Sequence, residues 1–217
     1  MNTTFNFNGD ELEYFIHPHN RTAINERKVE VPIVMNYINK RKPKHILEVG
    51  NVLHHYYPEL FIQYNVLTVD KYEIDNDNEY LINEDIYKFI YNAQKNTKYD
   101  LIVSISTLEH VGVDDYPKDK YKKLRVSKEL ISKMLTPTGL FVATMPLNSR
   151  QNINNQVEMN GFNFTNRYYM ERYDVVNNLW KQSDWRNASV MPYRPSICAS
   201  GIVIGIHDAV ANIPNLD

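Results

Sequence analysis

The sequence predicts a doubly wound α/β fold, in which helices cover both faces of a mostly parallel sheet. Short apolar runs rich in β-branched residues, at 45–49, 65–70 and 100–105, alternate with longer amphipathic segments. The run at 100–105 is almost continuously apolar, as expected for a parallel strand that is buried on both faces. Strands that alternate with helical segments at this spacing are typical of βαβ units.

The other elements follow from apolar spacing and from turn residues. Helices are predicted at 57–64, 84–93 and 121–135. Further strands are predicted at 140–145, 167–172 and 197–207. The last helix should end in the turn Thr136-Pro137-Thr138-Gly139, because proline fixes φ and glycine frees it. The last two strands should form an antiparallel edge hairpin with a long excursion between them, and residues 1–40 a helical N-terminal extension.

Composition limits the class of protein. The 217 residues suit one domain, with 43% hydrophobic and 23% charged residues and a formal net charge of -2. This near-neutral balance disfavours nucleic acid as a partner. Cys198 is the only cysteine, so this chain can form neither an internal disulfide nor a thiolate zinc site. We find no signal pattern and expect no membrane span, which predicts a cytoplasmic protein.

Polar and small residues follow three of the predicted strands directly. Gly50 ends the first strand and lets the backbone turn tightly beside a ligand. Asp70 ends the second strand, where a carboxylate can accept both hydroxyl protons of a ribose. The third strand ends in Ser106-Thr107-Leu108-Glu109-His110. Because parallel strands present their carboxyl ends at one sheet edge, the sequence predicts an adenosine-cofactor site there.

This set of motifs resembles the class I S-adenosylmethionine-dependent methyltransferases over residues 44–146. Glu48-Val49-Gly50 resembles the first motif of that family, Asn83-Glu84-Asp85-Ile86 its adenine-side motif, and Leu135–Leu140 its Leu-x-Pro-Gly-Gly turn. The resemblance implies a Rossmann-like seven-stranded sheet with an antiparallel edge strand. It also implies S-adenosyl-L-methionine as cofactor and S-adenosyl-L-homocysteine as product.

The N-terminal motifs at 20–33 and the first motif Glu-Val-Gly-Asn-Val-Leu resemble a subgroup associated with glycan assembly, in bacteria and large viruses. That resemblance implies a glycan or small-molecule acceptor and a glycosyltransferase domain as partner. It divides the single domain into an extension at 1–40, a cofactor core at 44–146 and a substrate-side region with the edge hairpin at 147–217. The sequence departs from the family pattern where Asn51, Val52, Leu53 and His54 replace the usual further glycines.

The resemblance, together with the strand-end pattern, assigns the cofactor-binding residues Glu48, Gly50, Asn51, Asp70, Lys71, Asp85, Ile86, Ser106, Arg21 and Thr22. Glu48 either contacts the cofactor's amino group or hydrogen-bonds the loop that follows it. Asp70 binds ribose or is an ordinary turn acid. Asp85 contacts adenine, caps a helix start, or does both.

His110 is the candidate general base, because a neutral imidazole at a strand end can take a proton from an acceptor hydroxyl. Glu109 would orient it, and both are assigned as catalytic; a cofactor-adjacent or structural role for His110 is the alternative. One histidine among acids is a poor metal signature, so no metal is expected. The candidate substrate-binding residues are Asn148, Arg150, Tyr168 and Arg172.

The resulting hypothesis is O-methylation of a sugar hydroxyl in a glycan or nucleotide sugar. Three alternatives stay open: a methyltransferase for another small molecule or for protein, a noncatalytic scaffold, and a nicotinamide-dependent oxidoreductase. The last is disfavoured because no Gly-x-Gly-x-x-Gly follows any predicted strand.

Overall fold

The computed structural model describes residues 3–75, 77–94, 96–113, 115–149, 153–194 and 198–210. The chain divides into two compact units, each built from separate segments. The described residues of 43–143, 162–166 and 205–210 form one unit, called the nucleotide-side unit because it contains the motifs from which the sequence predicts a cofactor site. The described residues of 3–42, 144–161 and 167–204 form the second unit. Strands β7 and β10 run through both units.

Four strands of the nucleotide-side unit form a parallel sheet, as predicted. They are β3 (His45–Val49), β4 (Asn65–Asp70), β5 (Leu81–Asn83) and β6 (Tyr99–Ile105). β3 pairs in parallel with β4 on one side and with β6 on the other, and β4 pairs in parallel with β5. Ile46, Leu47 and the run Leu101–Val103 are fully buried, which explains their continuous apolar character.

The whole sheet has eight strands in the order β5-β4-β3-β6-β7-β10-β8-β9. The additional strands are β7 (Leu135–Pro146), β8 (Asn166–Asp174), β9 (Leu179–Ser183) and β10 (Gly201–Asp208). The mostly parallel α/β fold is therefore confirmed, but the expected strand number of seven is wrong. β9 lies inside the predicted excursion and pairs antiparallel with β8 at the sheet edge.

Strand β10 is antiparallel to both of its neighbours, β7 and β8. Beside β7, the N–H of Leu147 donates to the carbonyl of Gly201, and the N–H of Ala209 donates to that of Gly139. The N–H of Thr165 donates to the carbonyl of Ile206, whereas the N–H of Arg172 donates to that of Ser200. As the residue number rises from 165 to 172 along the β8 side, the number of the bonded residue falls from 206 to 200 along β10. The two strands are therefore antiparallel. The predicted pairing of these two strands is confirmed, but the antiparallel strand β10 is not at the edge.

The helices of the nucleotide-side unit lie close to their predicted positions. They are α2 (Leu60–Gln63), α3 (Ile86–Asn92) and α4 (Lys122–Glu129), and a π-helical turn continues α4 over Leu130–Met134. β7 is assigned from Leu135, so the expected turn at Thr136–Gly139 lies within its first residues. A Cβ on Gly139 would lie 2.7 Å from the Leu135 side chain, four residues earlier, and a strand that rises about 3.3 Å per residue could not bring them so close. The backbone therefore bends sharply in this segment, as the Pro-x-Gly pattern predicts.

The N-terminal extension is helical only in its second part. It begins with a hairpin of β1 (Thr4–Phe7) and β2 (Asp10–Glu13), and a 3₁₀ segment at His19–Ile24 precedes α1 (Arg27–Arg41). The expectation of a wholly helical 1–40 segment is therefore wrong. Asn8 and Gly9, with φ of 49° and 86°, supply the two left-handed residues of a tight hairpin turn.

Helix α1 contains Pro32, which cannot donate a hydrogen bond to the carbonyl of Lys28. The N–H of Phe15, just after the hairpin, donates to that carbonyl at 3.0 Å instead. The hairpin therefore satisfies the acceptor that proline leaves open, and it fixes the start of α1. Two short helices, α5 (Asn154–Glu158) and α6 (Trp185–Ala188), complete the second unit.

Candidate cofactor site

An open cavity lies at the carboxyl ends of β3, β4 and β6, entirely within the nucleotide-side unit. The space inside it is about 470 Å³, including its solvent-facing part. Its walls are formed by Val49, Gly50, Val69, Asp70, Lys71, Tyr72, Glu84, Asp85, Ile86, Thr107, His110, Val111, Gly112 and Asp115. The three strand ends that the sequence singled out thus meet at one cavity.

Gly50 is required at the end of β3. Its φ is +88°, and a Cβ at this position would lie 2.2 Å from Oγ1 of Thr107. Its N–H donates to the carbonyl of Val69 at 2.9 Å, which fixes the turn beside the end of β4. Glycine therefore provides both the backbone conformation and the close approach of two strand ends. Thr107 was not among the predicted site residues.

The carboxylate of Glu48 holds the loop that follows Gly50. Oε1 accepts hydrogen bonds from the N–H groups of Val52 at 3.0 Å and Leu53 at 2.6 Å, and Oε2 accepts one from Oγ1 of Thr68 at 2.8 Å. Glu48 is fully buried, and this burial raises its pKa to about 7. The structure thus shows the loop-holding role; a contact of Glu48 with a cofactor stays a prediction.

Asp70 lines the cavity and orders the backbone around it. Oδ1 accepts hydrogen bonds from the N–H groups of Tyr72 at 2.8 Å and Glu73 at 2.9 Å. Oδ2 accepts one from the N–H of Asn51 at 3.1 Å. A carboxylate offers roughly four acceptor positions, so about one remains for a ligand hydroxyl.

Asn51 and Lys71 flank Asp70 on its two sides. The side-chain Oδ1 of Asn51 is buried and has no hydrogen-bond partner among the described residues. Nζ of Lys71 pairs with Oδ1 of Asp115 at 2.5 Å and lies 5.1 Å from the ring centre of Tyr72. Lys71 lines the cavity, whereas Asn51 is not among its wall residues.

Asp85 caps helix α3 and lines the cavity at the same time. Its Oδ1 accepts hydrogen bonds from the N–H groups of Tyr87 at 2.9 Å and Lys88 at 3.4 Å. Its Oδ2 pairs with Nζ of Lys122 at 2.8 Å. The adjacent Ile86 is 6% exposed and gives the cavity an apolar wall. Both sequence-based roles for Asp85, at a helix start and at the cavity, are therefore compatible.

Lys122 and Asp115 were not assigned from the sequence, because their pairing depends on tertiary structure. Nζ of Lys122 contacts Oδ2 of Asp115 at 2.6 Å as well as Asp85. Burial disfavours the charge of Lys122, but its hydrogen bonds to Asp115 and Asp85 outweigh that effect and raise its pKa. Hydrogen bonds from Lys122 and Lys71 lower the pKa of Asp115. The hydrogen bond to Asp115 likewise raises the pKa of Lys71, so Lys71, Asp115 and Lys122 stay charged at neutral pH.

The segment after β6 carries the two predicted catalytic residues. Glu109 is fully buried, and its Oε1 lies 3.7 Å from Nε2 of His110. The His110 side chain is 48% exposed and lines the cavity. Ser106 adopts a positive φ of 42°, and it precedes the wall residue Thr107. The structure thus brings His110 to the same cavity as Asp70 and Asp85.

The remaining predicted cofactor residues, Arg21 and Thr22, belong to the second unit. Thr22 is fully buried, and its hydroxyl bridges the backbone of His17, accepting from the N–H at 2.5 Å and donating to the carbonyl at 3.0 Å. Arg21 is exposed and has a φ of 50°. The observed contacts give Thr22 a structural role in this segment, and the cofactor role of both residues stays a prediction.

Asn148 is used to hold the second unit together. Its side-chain N–H groups donate to the carbonyls of Ser189 at 2.6 Å and Met191 at 2.8 Å, and its Oδ1 accepts from Asn154 at 2.8 Å. Both N–H groups of the amide are therefore used, and Oδ1 keeps about one acceptor position. The role of Asn148 in substrate binding stays a prediction. Arg150 lies outside the described residues.

Arg172 and Tyr168 lie on β8. Arg172 is 1% exposed, its guanidinium lies 4.8 Å from the ring centre of Trp180, and its NH1 group donates to the carbonyl of Ile24 at 3.2 Å. Burial lowers the pKa of Arg172. Tyr168 is half-buried and packs edge-to-face on Phe7 at 5.4 Å. Their substrate-binding roles stay predictions.

The residues that the structure describes contain neither a candidate metal centre nor a membrane-spanning helix. No group of three or more His, Cys, Asp or Glu side chains in this part of the chain is arranged to hold a metal ion. Within the same residues, no helix combines the length and apolar character that crossing a membrane requires.

No family model and no curated protein sequence matches the chain. Among solved structures it is similar to the N-methyltransferase NodS from Bradyrhizobium japonicum WM9 in complex with S-adenosyl-L-homocysteine, with a TM-score of 0.52, 12% identity and coverage of 84% of this chain and 86% of that chain. A second NodS structure has a TM-score of 0.51 and 11% identity, and the match covers 84% of this chain and 95% of that chain. A SAM-dependent methyltransferase from Archaeoglobus fulgidus has a TM-score of 0.50 and 9% identity, with coverage of 84% of this chain and 95% of that chain. At these identities the likeness shows that the chain shares their fold.

Proposed function

We propose that the chain is an S-adenosylmethionine-dependent methyltransferase and that the cavity beside Gly50, Asp70 and Asp85 binds the nucleoside part of this cofactor. The observation that carries the proposal is the meeting of a glycine turn and a carboxylate at the carboxyl ends of adjacent parallel strands. The fold shared with methyltransferases supports it, because one of those structures contains S-adenosyl-L-homocysteine.

The residues of the cavity fit such a nucleoside. Asp70 keeps about one acceptor position for a ribose hydroxyl. Ile86 and Val111 offer apolar surface to a planar base, and Asp85 offers a carboxylate to its amino group. Gly50 contributes to the cavity wall, and the Thr107 side chain occupies the place that a Cβ on Gly50 would take. The glycines that the sequence lacks after Gly50 are replaced by a loop that Glu48 holds from inside.

When bound, the cofactor supplies a methyl group that its sulfonium already activates. The protein must align the acceptor and remove its proton when the acceptor is a hydroxyl. We assign the proton transfer to the His110 imidazole, which is exposed to the cavity. The buried carboxylate of Glu109, 3.7 Å away, would stabilise the imidazolium that results.

The acceptor class that we propose is a sugar hydroxyl of a glycan or nucleotide sugar, with a glycosyltransferase domain as partner. This part rests on the subgroup resemblance at 20–33 and on the aromatic-rich C-terminal third, which contains both tryptophans. Stacking on aromatic faces suits the apolar face of a sugar ring. An acceptor among other small molecules or proteins is the alternative.

The test is a methyl-transfer assay with panels of nucleotide sugars, oligosaccharides and peptides. S-adenosyl-L-homocysteine release and product mass are measured for each panel. Methylated sugars would support the whole proposal, whereas transfer confined to peptides would overturn the sugar assignment. Tight cofactor binding with no transfer to any panel would favour a noncatalytic scaffold.

A further inference from the structure

A second, more open basin adjoins the candidate cofactor cavity. It encloses about 1290 Å³, including open solvent, and its lining includes Tyr87, Lys88 and Lys122. Lys71, Asp85 and Asp115 line both the basin and the cavity. These three side chains therefore form the wall between the two spaces, and both spaces lie within the nucleotide-side unit.

A continuous chain of ion pairs closes this wall. Lys71 pairs with Asp115 at 2.5 Å, Asp115 with Lys122 at 2.6 Å, and Lys122 with Asp85 at 2.8 Å. The three inner side chains are only 15–18% exposed, whereas Lys71 is 37% exposed. Solvent therefore screens the inner pairs less than ordinary surface ion pairs. The chain joins the end of β4, the segment after β6, and the starts of α4 and α3.

The backbone behind the wall is closely packed. Gly112 has a φ of +81°, and a Cβ there would lie 2.2 Å from the carbonyl oxygen of Asp119 and 2.6 Å from Cβ of Lys122. The N–H of Asp119 also donates to the carbonyl of Gly112 at 2.8 Å. The backbone just before Asp115 is thus held against the start of α4.

The wall lies on the side of the cavity that suits a base. Asp85 is a member of the wall, and its neighbour Ile86 contributes apolar surface next to it. A purine whose amino group approaches the Asp85 carboxylate therefore points that amino edge at the ion-pair chain. Nζ of Lys122 pairs with Oδ2 of the same carboxylate at 2.8 Å.

From this arrangement we infer that the ion-paired wall of Lys71, Asp115, Lys122 and Asp85 sets the size limit for the base, so that the cavity accepts an unsubstituted adenine and rejects bulky groups on its exocyclic nitrogen. The inference rests on the proposed function, because it requires an adenine nucleoside in the cavity. Lys122 is a specificity-determining residue in this scheme. Removal of its side chain would join the cavity to the basin, which has room for a substituent.

The test compares the affinities of two probes by calorimetric titration: S-adenosyl-L-homocysteine and the same compound carrying a benzyl group on the exocyclic adenine nitrogen. We expect the wild-type protein to bind the benzyl compound roughly 100-fold more weakly, since a packed wall resists insertion. In Lys122→Ala this ratio should fall below about 10-fold. Asp115→Ala, which removes the central link, should lower the ratio in the same direction.

Two matched variants separate the wall from general effects. Lys122→Arg keeps the pairing and should restore discrimination to the wild-type ratio. Lys88→Ala removes a lysine that lines the basin, as Lys122 does, but is not a member of the ion-pair chain, and it should leave the ratio unchanged. Thermal unfolding shows whether each variant is folded before titration.

The outcomes are distinguishable. A wild-type protein that binds neither compound would refute the proposed function itself. Two other results would overturn only the inference about the wall. In the first, the wild-type protein binds both compounds equally. In the second, the folded Lys122→Ala and Asp115→Ala variants bind the parent compound but still reject the benzyl compound.

Discussion

The side chain of Thr107 fills the space in front of Gly50: a Cβ on Gly50 would lie 2.2 Å from Thr107 Oγ1 and 2.7 Å from Thr107 Cβ. Two strand ends, of β3 and β6, therefore approach each other at a distance that only glycine permits. This relationship explains why the turn after β3 needs glycine even though the loop beyond it lacks the further glycines of the family pattern.

Gly50→Ala should destabilise the protein and abolish nucleoside binding. The cost combines a left-handed backbone with the overlap on Thr107 and amounts to about 3–4 kcal/mol in the free energy of unfolding. Gly9→Ala is the matched control, because Gly9 has a φ of +86° but nothing within 4 Å of the added Cβ. That control should lose only about 1–2 kcal/mol. Equal losses in urea titrations of the two variants would show that the overlap is unimportant.

Glu48 should make stability depend on pH. Its folded-state pKa of about 7 lies above the ordinary value of 4.5, so the folded protein binds more protons than the unfolded chain between these values. Stability contributed by protonated Glu48 is therefore fully present below about pH 4.5 and is lost as pH rises through 7. The loss is on the order of 3 kcal/mol.

Glu48→Gln should remove this part of the pH dependence while keeping the fold, because an amide oxygen can still accept from Val52 and Leu53. Unfolding free energies measured at pH 5 and pH 7.5 test the prediction. Glu26 has a pKa raised to about 7 by burial and by Glu30, so part of the wild-type slope should persist in the variant. A slope identical to that of the wild type would contradict the assignment to Glu48.

His110→Ala should leave S-adenosyl-L-homocysteine affinity nearly unchanged and lower kcat for a hydroxyl acceptor by about 100-fold. His55→Ala is the matched control, since His55 also pairs with a glutamate, at 3.1 Å from Glu73, but does not line the cavity. Steady-state kinetics of both variants provide the comparison. Full turnover by His110→Ala would remove it as the base and leave the structural alternative.

Asn148→Ala should act through stability. It loses two donated hydrogen bonds and one accepted bond, with an expected cost of about 2 kcal/mol in unfolding free energy. Asn148→Asp keeps the acceptor for Asn154 and should lose the part that belongs to the two donors. If the alanine variant kept full stability and instead raised the KM for the acceptor, the predicted role of Asn148 in substrate binding would be supported.

The sequence predicts the parallel strands well because burial on both faces gives them a strong apolar signature. β3 and β4 have the predicted bounds, His45–Val49 and Asn65–Asp70. β5, at Leu81–Asn83, has three residues and carries no comparable signature. The sequence does contain a pattern typical of the hairpin at Thr4–Glu13: Phe5 and Phe7 alternate with polar residues, and the turn pair Asn8-Gly9 follows. The expectation of a helical extension did not take this pattern into account.

Part of the site follows from the sequence for the same reason. Strand ends fix the positions of Gly50, Asp70 and His110, so their meeting at one cavity was predictable. The ion pairs of Lys122 were not, because its partner Asp85 is 37 residues away in the chain and their contact depends on how α3 and α4 pack. The sequence leaves two alternative roles for Glu48, because it does not reveal that the side chain is buried. In the structure the buried carboxylate holds the loop.

The central claim is that the cavity at Asp70 binds the cofactor, and calorimetric titration of S-adenosyl-L-methionine and S-adenosyl-L-homocysteine into the purified protein tests it most directly. Asp70→Ala should abolish the binding. Asp174→Ala is the matched control, because Asp174 also accepts a hydrogen bond from a backbone N–H but lies in the second unit. This control should leave the binding unchanged. Micromolar binding by the wild type that is lost only in Asp70→Ala is the predicted result. No binding by the folded wild-type protein, or equal binding by the folded Asp70→Ala variant, would contradict it.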